Sequence, residues 1–340
     1  MKKKLILLAF SFIGYVTLFG QVQYKSKYPD IPIVDIHTHI GNVNSATNFV
    51  KVSEAIKQKH GSNLCFWVGL SDPGESVVEQ IKAATNNRIL FSASQMSPHK
   101  GLTLTPEQVM EKVKNGYLGL KFFFGPAYRI LKEGEAGITK IDDPRYDRFF
   151  SVLERANVLM TSLHIADPNQ IFGNRGLWLQ DPVYYWEQIR AFENFVAKHP
   201  NLTIVAAHGA WLVVQDAQID FLRYMFSTYP NLYVDISATC HYMSLVNTDN
   251  LRDLYIEYQD RLLFGTDCGR CNDDQVDFFT RKYTNFFAIL ETDMQLDEGF
   301  FGNVGGKPIQ GLNLPREVLE KIYYKNALKL YPGLKEAMGL

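Results

Sequence analysis

The sequence predicts an α/β protein of the distorted (β/α)8 TIM barrel type, and three observations carry that prediction. Eight short apolar segments recur: IPIVDIHTH, NLCFWVGL, RILFSASQ, YLGLKFFFG, NVLMTSLH, LTIVAAHG, LYVDISAT and RLLFGTD. They are near-continuous in apolar residues, as parallel strands covered on both faces require. Amphipathic stretches with helix-start signals separate them. Histidines and a carboxylate gather at the C-terminal ends of the segments, where a parallel barrel carries its chemistry.

The helical stretches announce themselves at their ends. In TPEQVMEKVKNG, Thr105 is the cap, Pro106 takes the first helical position, Gln108 closes a capping box and Gly116 stops the helix. DPRYDRFFSVLERAN begins the same way at Asp143-Pro144, and DPVYYWEQIRAFENFVAKHP runs from Asp181-Pro182 to just before Pro200. LPREVLEKIYYKNALKLYP closes the chain with apolar residues at helical spacing. Two junctions repeat, KHPNLTIVAAHG and TYPNLYVDISAT, each leaving a helix through Pro-Asn directly into a strand. Eight such units in roughly three hundred residues match barrel arithmetic. An open doubly wound sheet is the alternative. It would carry a glycine-rich phosphate turn after the first strand, and HTHIGNVNS is not one.

With 46% apolar and 21% charged residues the composition is globular, and the formal net charge of −1 gives no reason to expect a polyanion partner. Without a basic stripe, RNA-binding aromatic motif or finger spacing, no nucleic-acid partner is expected. MKKKLILLAFSFIGYVTLFG places a lysine cluster before a short apolar run and small residues, the layout of a secretory signal peptide. Residues 1–20 are therefore expected to be removed near Gly20–Gln21, leaving 21–340 as a single barrel domain, exported to the periplasm or secreted. Ser11 and Gly14 break the apolar run, which is short for a membrane span; an uncleaved anchor is the alternative. Export permits disulfides. Cys65 reads as core, Cys240 ends an apolar run, and Cys268 and Cys271 form a CxxC without the second pair a zinc site needs. A local disulfide and free thiols both stay open for that pair, as does assembly into a homo-oligomer.

The first strand ends in His37 and His39, the fifth in His164, the sixth in His208 and the eighth in Asp267, while the fourth carries Lys121. Alternation along a strand sends Asp35, His37 and His39 to one face, with Asp35 a layer deeper. Two imidazoles, a third from the fifth strand and a carboxylate from the eighth suit a divalent ion such as Zn²⁺, and a position left for water makes such a site catalytic. A lone strand-end histidine is more often a hydrogen-bonded core group; the constellation reverses that reading. Asp35 either bonds the backbone or supports a ligand ring. Lys121 either holds a carboxylate or bridges two ions. His60, His99 and His199 read as surface residues, and His241 as a substrate contact.

In their order along the chain, DIHTH, GLKFFFG, LHIADP, AAHGAW, LLFGTDCG and the closing LEKIYYKNA helix resemble the amidohydrolase superfamily. The resemblance is to the amidohydrolase-related (amidohydrolase 2) branch that includes aminocarboxymuconate-semialdehyde decarboxylase. It spans nearly the whole chain after the leader. It implies a metal at the barrel mouth, held by His37, His39, His164 and Asp267, with Asp267 also shuttling a proton. His208 would orient or polarise the substrate or the water and stabilise the developing oxyanion. One ion is expected, and two if Lys121 is carboxylated. The implied activity is metal-dependent hydrolysis of an amide, lactone or ester in a small organic molecule. The alternative on the same ligands is decarboxylation of an aromatic or enoic acid, whose carboxylate Arg129, Arg175 or Arg270 would meet; export weighs against it. A binding protein without turnover would have no need of Asp267. The long segments after strands four and five, with Phe172 and Trp178, would wall the substrate site.

Overall fold

The computed structural model describes residues 23–95, 102–124, 138–165 and 182–340. The predicted leader, residues 1–20, lies outside them. Among the described residues no helix is long and apolar enough to cross a membrane.

Eight parallel strands form the frame. They are β1 (Pro32–Thr38), β2 (Asn63–Gly69), β3 in two runs (Ile89–Phe91 and Ala93–Gln95), β4 (Leu120–Phe123), β5 (Met160–His164), β6 (Ile204–Ala206), β7 (Leu232–Asp235) and β8 (Leu262–Leu263). Each pairs in parallel with the next. The interruption in β3 hands the strand from one neighbour to the other. Ser92 N donates to Gly69 O at 3.0 Å and Ala93 N to Gly119 O at 2.9 Å. The circle closes between β8 and β1, where Ile36 N donates to Phe264 O at 3.0 Å, Asp267 N to His37 O at 2.8 Å and His39 N to Cys268 O at 2.6 Å. Short strands and register shifts in three pairs make this the distorted barrel that the sequence predicts.

One helix follows each strand: α1 (Val43–His60), α2 (Glu75–Ala84), α3 (Pro106–Lys114), α4 (Asp147–Arg155), α5 (Pro182–Lys198), α6 (Asp216–Thr228), α7 (Thr248–Glu257) and α8 (Val276–Glu291). The predicted capping box of α3 is present, with Thr105 and Gln108 each bonding the other's backbone N–H. Asn42 caps α1, and Gly61 ends it at φ 80°. A left-handed residue there costs glycine nothing.

The core has two layers. Val34, Ile36, Val68, Leu118, Leu159, Val205 and Leu263 fill the barrel interior, and Tyr331 and Leu334 of the C-terminal segment pack on the same cluster. Tyr331 Oη donates to Thr161 O at 3.0 Å, tying that segment to β5. Outside the strands lies the larger apolar layer shared with the helices, including Phe49, Trp67, Phe150, Phe192 and Phe286. With the lower barrel filled, the polar strand ends are left to line its mouth.

Candidate active site

β1 sets the first part of the site by a defect. Its register with β2 shifts between Asp35 and Thr38, where β1 carries one residue more than β2. Such a bulge resets the alternation of side chains. Asp35 and His37 therefore face opposite ways, contrary to the expected shared face. Asp35 turns to α8, accepting from Tyr283 Oη and Thr266 Oγ1, each at 2.6 Å, and from the N–H groups of His37 and Thr266 at 3.1 Å. It bonds backbone and hydroxyls, and supports the site by tying β1 to β8. His37 turns into the barrel, fully buried. Gly265 of the segment after β8 permits this: a Cβ there would lie 2.8 Å from His37 Cβ.

His37 Nδ1 lies 2.8 Å from Asp235 Oδ2, at the end of β7. Its Nε2 lies 3.2 Å from Asp267 Oδ1 and 3.5 Å from Lys121 Nζ. His39 reaches the same carboxylate oxygen through Nε2 at 3.0 Å, and its Nδ1 lies 3.0 Å from Ser71 Oγ. Lys121 donates to Ser162 Oγ at 2.8 Å. His164 Nδ1 lies 3.1 Å from His208 Nε2, while His164 Nε2 is buried with no hydrogen-bond partner among the described residues. His208 Nε2 stands 4.0 Å from Asp267 Oδ2. Ligand atoms of His37, His208 and Asp267 all fall within 4.8 Å of one another. His39 and Asp267, with side chains 26% and 28% exposed, form the open side; His37, His208 and Asp235 lie beneath.

Two of these residues sit in strained backbone. Asp267 has φ 66°, and residues 208–211 run through a left-handed turn, with φ 60° at His208, 61° at Gly209, 53° at Ala210 and 57° at Trp211. Each non-glycine residue there costs about 1–2 kcal/mol, so the surroundings must hold it. His208 N donates to Asp235 Oδ1 at 3.0 Å, Leu212 N to Gly209 O at 3.0 Å and Tyr185 Oη to Trp211 O at 2.6 Å. The turn stacks the Trp211 ring on His208, 4.5 Å between centroids.

Burial and charge oppose each other across the site. Burial drives His164 well below the ordinary histidine pKa, helped by His208 and Lys121, and pushes His208 down to about 4 against the pull of Asp267. Burial also lowers His39. In His37, burial and Lys121 press downward, but Asp235 and Asp267 outweigh them and raise it. Burial opposes charge on Asp267 and Asp235 too, yet the adjacent imidazoles hold both carboxyls well below their ordinary range. Burial lowers Lys121 to about 8, with Asp267 and Asp235 pulling the other way. At neutral pH the site thus pairs ionised carboxylates with neutral His164 and His208.

The strand-end residues named from sequence, His37, His39, Lys121, His164, His208 and Asp267, do come together. Arg129, Arg175, Phe172, Trp178 and His99 lie outside the described residues. Arg270 is exposed beyond Asp267. His241 is largely buried, its ring 4.1 Å from Tyr242 and 5.9 Å from Phe301, and its Nδ1 has no hydrogen-bond partner among the described residues. His60 is half-buried on Tyr24 O. His199, expected at the surface, is 2% exposed. It follows α5 and faces α4, with Nδ1 3.1 Å from Glu154 Oε2 and its ring against Phe150 and Phe195. Cys65, expected in the core, is half-buried, packed against the barrel-interior cluster with Sγ toward Ile33 O. Cys268 and Cys271 are free thiols, one near Tyr283 Oη and the other toward Asn272 O. Sequence reasoning missed Asp235, Ser237, Ser71, Ser162 and Gly265. Asp235 and Ser237 had a signal: two polar residues two apart in LYVDISAT, hence on one face of the seventh strand.

A closed parallel barrel with imidazoles and a carboxylate at its strand ends is the class of protein that fold and site define. More particularly, the chain belongs to the amidohydrolase family, whose model matches residues 105–333. Three solved structures are similar over most of their length. An amidohydrolase from Burkholderia multivorans with bound zinc is 11% identical, covering 88% of this chain and 98% of that one at a TM-score of 0.45. An amidohydrolase 2 from Bifidobacterium longum subsp. infantis is 14% identical over 88% and 98%, TM-score 0.46. A 4-oxalomesaconate hydratase from Rhodopseudomonas palustris is 14% identical over 90% and 98%, TM-score 0.43. Likenesses this distant carry no argument about chemistry. No curated protein matches the chain.

Proposed function

We propose that the chain is a metal-dependent hydrolase that opens an amide, lactone or ester bond in a small organic molecule, with Zn²⁺ as the best-fitting ion. The observation that carries this reading is the set of acceptors around the imidazoles, from which their hydrogens are assigned. Asp235 is an ionised carboxylate and only accepts, so His37 Nδ1 carries a hydrogen and Nε2 of the neutral ring is a lone pair. That lone pair faces Asp267 Oδ1 at 3.2 Å. Two acceptors face to face need a cation beside them: a second proton on His37, the Lys121 ammonium 3.5 Å from Nε2, or a metal ion. His208 Nδ1 lies 3.0 Å from Ser237 O, which also only accepts, so His208 Nε2 takes the Nδ1 hydrogen of His164. His164 Nε2 is then a buried lone pair with no hydrogen-bond partner among the described residues, and such an atom calls for one.

On this reading His37, His39, His164 and Asp267 would hold the ion, a nitrogen and oxygen set that suits zinc. The ion would supply Lewis acidity, making water more acidic and polarising a carbonyl. Asp267, on the open side, accepts a proton from the attacking water and returns it to the leaving group. His208 is neutral at pH 7. With its Nδ1 hydrogen on Ser237 O and its Nε2 lone pair taken by the His164 N–H, it is read here as holding the His164 ring in place. Lys121 is read here as an amine held on Ser162 Oγ, with one ion bound.

Zinc-loaded protein assayed against lactones, N-acyl amino acids and phenolic acids tests the reading. Hydrolytic products are expected; release of CO₂ would overturn hydrolysis in favour of decarboxylation. The leader-like residues 1–20 support the accompanying proposal that this chemistry takes place outside the cytoplasm.

A further inference from the structure

The end of β7 enters no step of this chemistry, yet it touches two of the site's imidazoles. We propose that Asp235 and Ser237 form one positioning network that fixes the tautomers of His37 and His208, and so sets how tightly the site holds its ion. The proposal rests on the metal reading above and concerns how that site is tuned.

Both residues are fully buried. Asp235 Oδ2 takes His37 Nδ1 at 2.8 Å; Oδ1 takes the N–H groups of His208 and Ser237 at 3.0 Å and the Ser237 hydroxyl. The Ser237 hydroxyl has one hydrogen and gives it to Asp235. Toward the rings it therefore acts as an acceptor, 3.0 Å from His37 Nδ1 and 2.9 Å from His208 Nδ1. The Ser237 carbonyl adds a second acceptor for His208. Every group that β7 offers these two Nδ1 atoms is thus an acceptor. The opposite tautomer would set an Nδ1 lone pair against a carboxylate or a carbonyl in a buried site, which is costly. The His37 Nε2 lone pair is thereby committed to the side of Asp267, and the His208 Nε2 lone pair to the N–H of His164, which leaves His164 Nε2 bare. Local geometry explains the economy: Asp235 is the last residue of β7 and Ser237 lies in the turn after it, its N–H returning to Asp235 Oδ1, with buried Ile236 in the outer core between them. A carboxylate behind a ligating imidazole also raises its basicity.

Two substitutions and one spectrum test this. Asp235→Asn keeps an oxygen for the backbone donors but removes the charge; Ser237→Ala removes the hydroxyl alone. Zinc affinity is measured by competition with a chelator of known strength, beside thermal melts of the metal-free proteins. Asp235→Asn should weaken zinc binding about 10- to 100-fold, and Ser237→Ala should weaken it less. In zinc-loaded wild type, ¹⁵N-histidine NMR should show His37 and His208 with hydrogen on Nδ1; in Ser237→Ala the His208 signal should broaden toward a mixture. Unchanged affinity in both variants, or hydrogen on Nε2 of His37 in the wild type, would overturn the proposal. If Asp235→Asn does not fold, the wild-type spectrum decides alone. Wild type that binds no zinc refutes the metal reading itself, whereas tight binding with the wrong tautomers refutes only the network.

Discussion

Asp267→Asn separates chemistry from folding at this site better than any other substitution. The side chain sits in a left-handed backbone at φ 66°, which asparagine adopts readily and alanine does not. Asp267→Ala would add about 1–2 kcal/mol of backbone strain to whatever it removes. Asparagine keeps the shape and the backbone bond from Asp267 N to His37 O. It removes the carboxylate that lies 3.0 Å from His39 Nε2 and 3.2 Å from His37 Nε2. Loss of a positioned general base costs a factor of about 10²–10⁴ in rate. At about 1.36 kcal/mol per decade, that is roughly 2.7–5.4 kcal/mol in the barrier. The assay is kcat/KM on the best substrate from the panel, with metal content and melting temperature measured on the same preparation. We expect the rate to fall by that factor while the melting temperature moves by no more than about one degree, an effect below 1 kcal/mol for a chain this long. A variant that keeps its metal and turns over within threefold of wild type would refute the role given to Asp267.

Three further outcomes follow from the packing and the charges. Phe150→Ala empties a fully buried ring site between Phe122, Phe149 and Phe195, with centroids 4.7–5.2 Å away, and should cost about 3–5 kcal/mol in urea unfolding; a loss under 1 kcal/mol would contradict the packing. Gly119→Ala would put a Cβ 2.1 Å from Leu159 O at φ 151° and pry β4 from β5 beside Lys121, so the melt should drop sharply; an unchanged melt would contradict that contact. In metal-free protein, NMR should find His208 titrating near 4 instead of 6.5, since burial disfavours its charge. Because its folded pKa lies below the unfolded one, this residue's contribution to stability is present above pH 6.5 and lost as pH falls toward 4. A midpoint near 6.5 would contradict the burial.

The barrel was legible in the sequence because its signals are local. Apolar runs of strand length, Thr-Pro and Asp-Pro helix starts and Pro-Asn exits each rest on a few adjacent residues. The strand-end histidines were legible for a related reason, since barrel topology brings all strand ends to one mouth. What failed was what depends on partners far along the chain. The bulge in β1 arises from pairing with β2, and strict alternation could not foresee that Asp35 would turn to Tyr283. The burial of His199 comes from α4 packing against α5, which its position beside Pro200 conceals. Asp235 was passed over as one carboxylate in an apolar run, because its meaning comes from His37, 198 positions away. Gly265 resembled any small strand residue until His37 Cβ filled the space beside it.

The central claim is that the facing lone pairs of His37 and Asp267 enclose a metal ion. The most direct measurement loads purified protein with Zn²⁺, removes free metal by gel filtration and counts bound zinc per chain by elemental analysis, for wild type and His37→Ala. The account predicts about one zinc per wild-type chain and close to none for the variant. A wild type that retains no zinc, or a His37→Ala variant that retains as much, would contradict it.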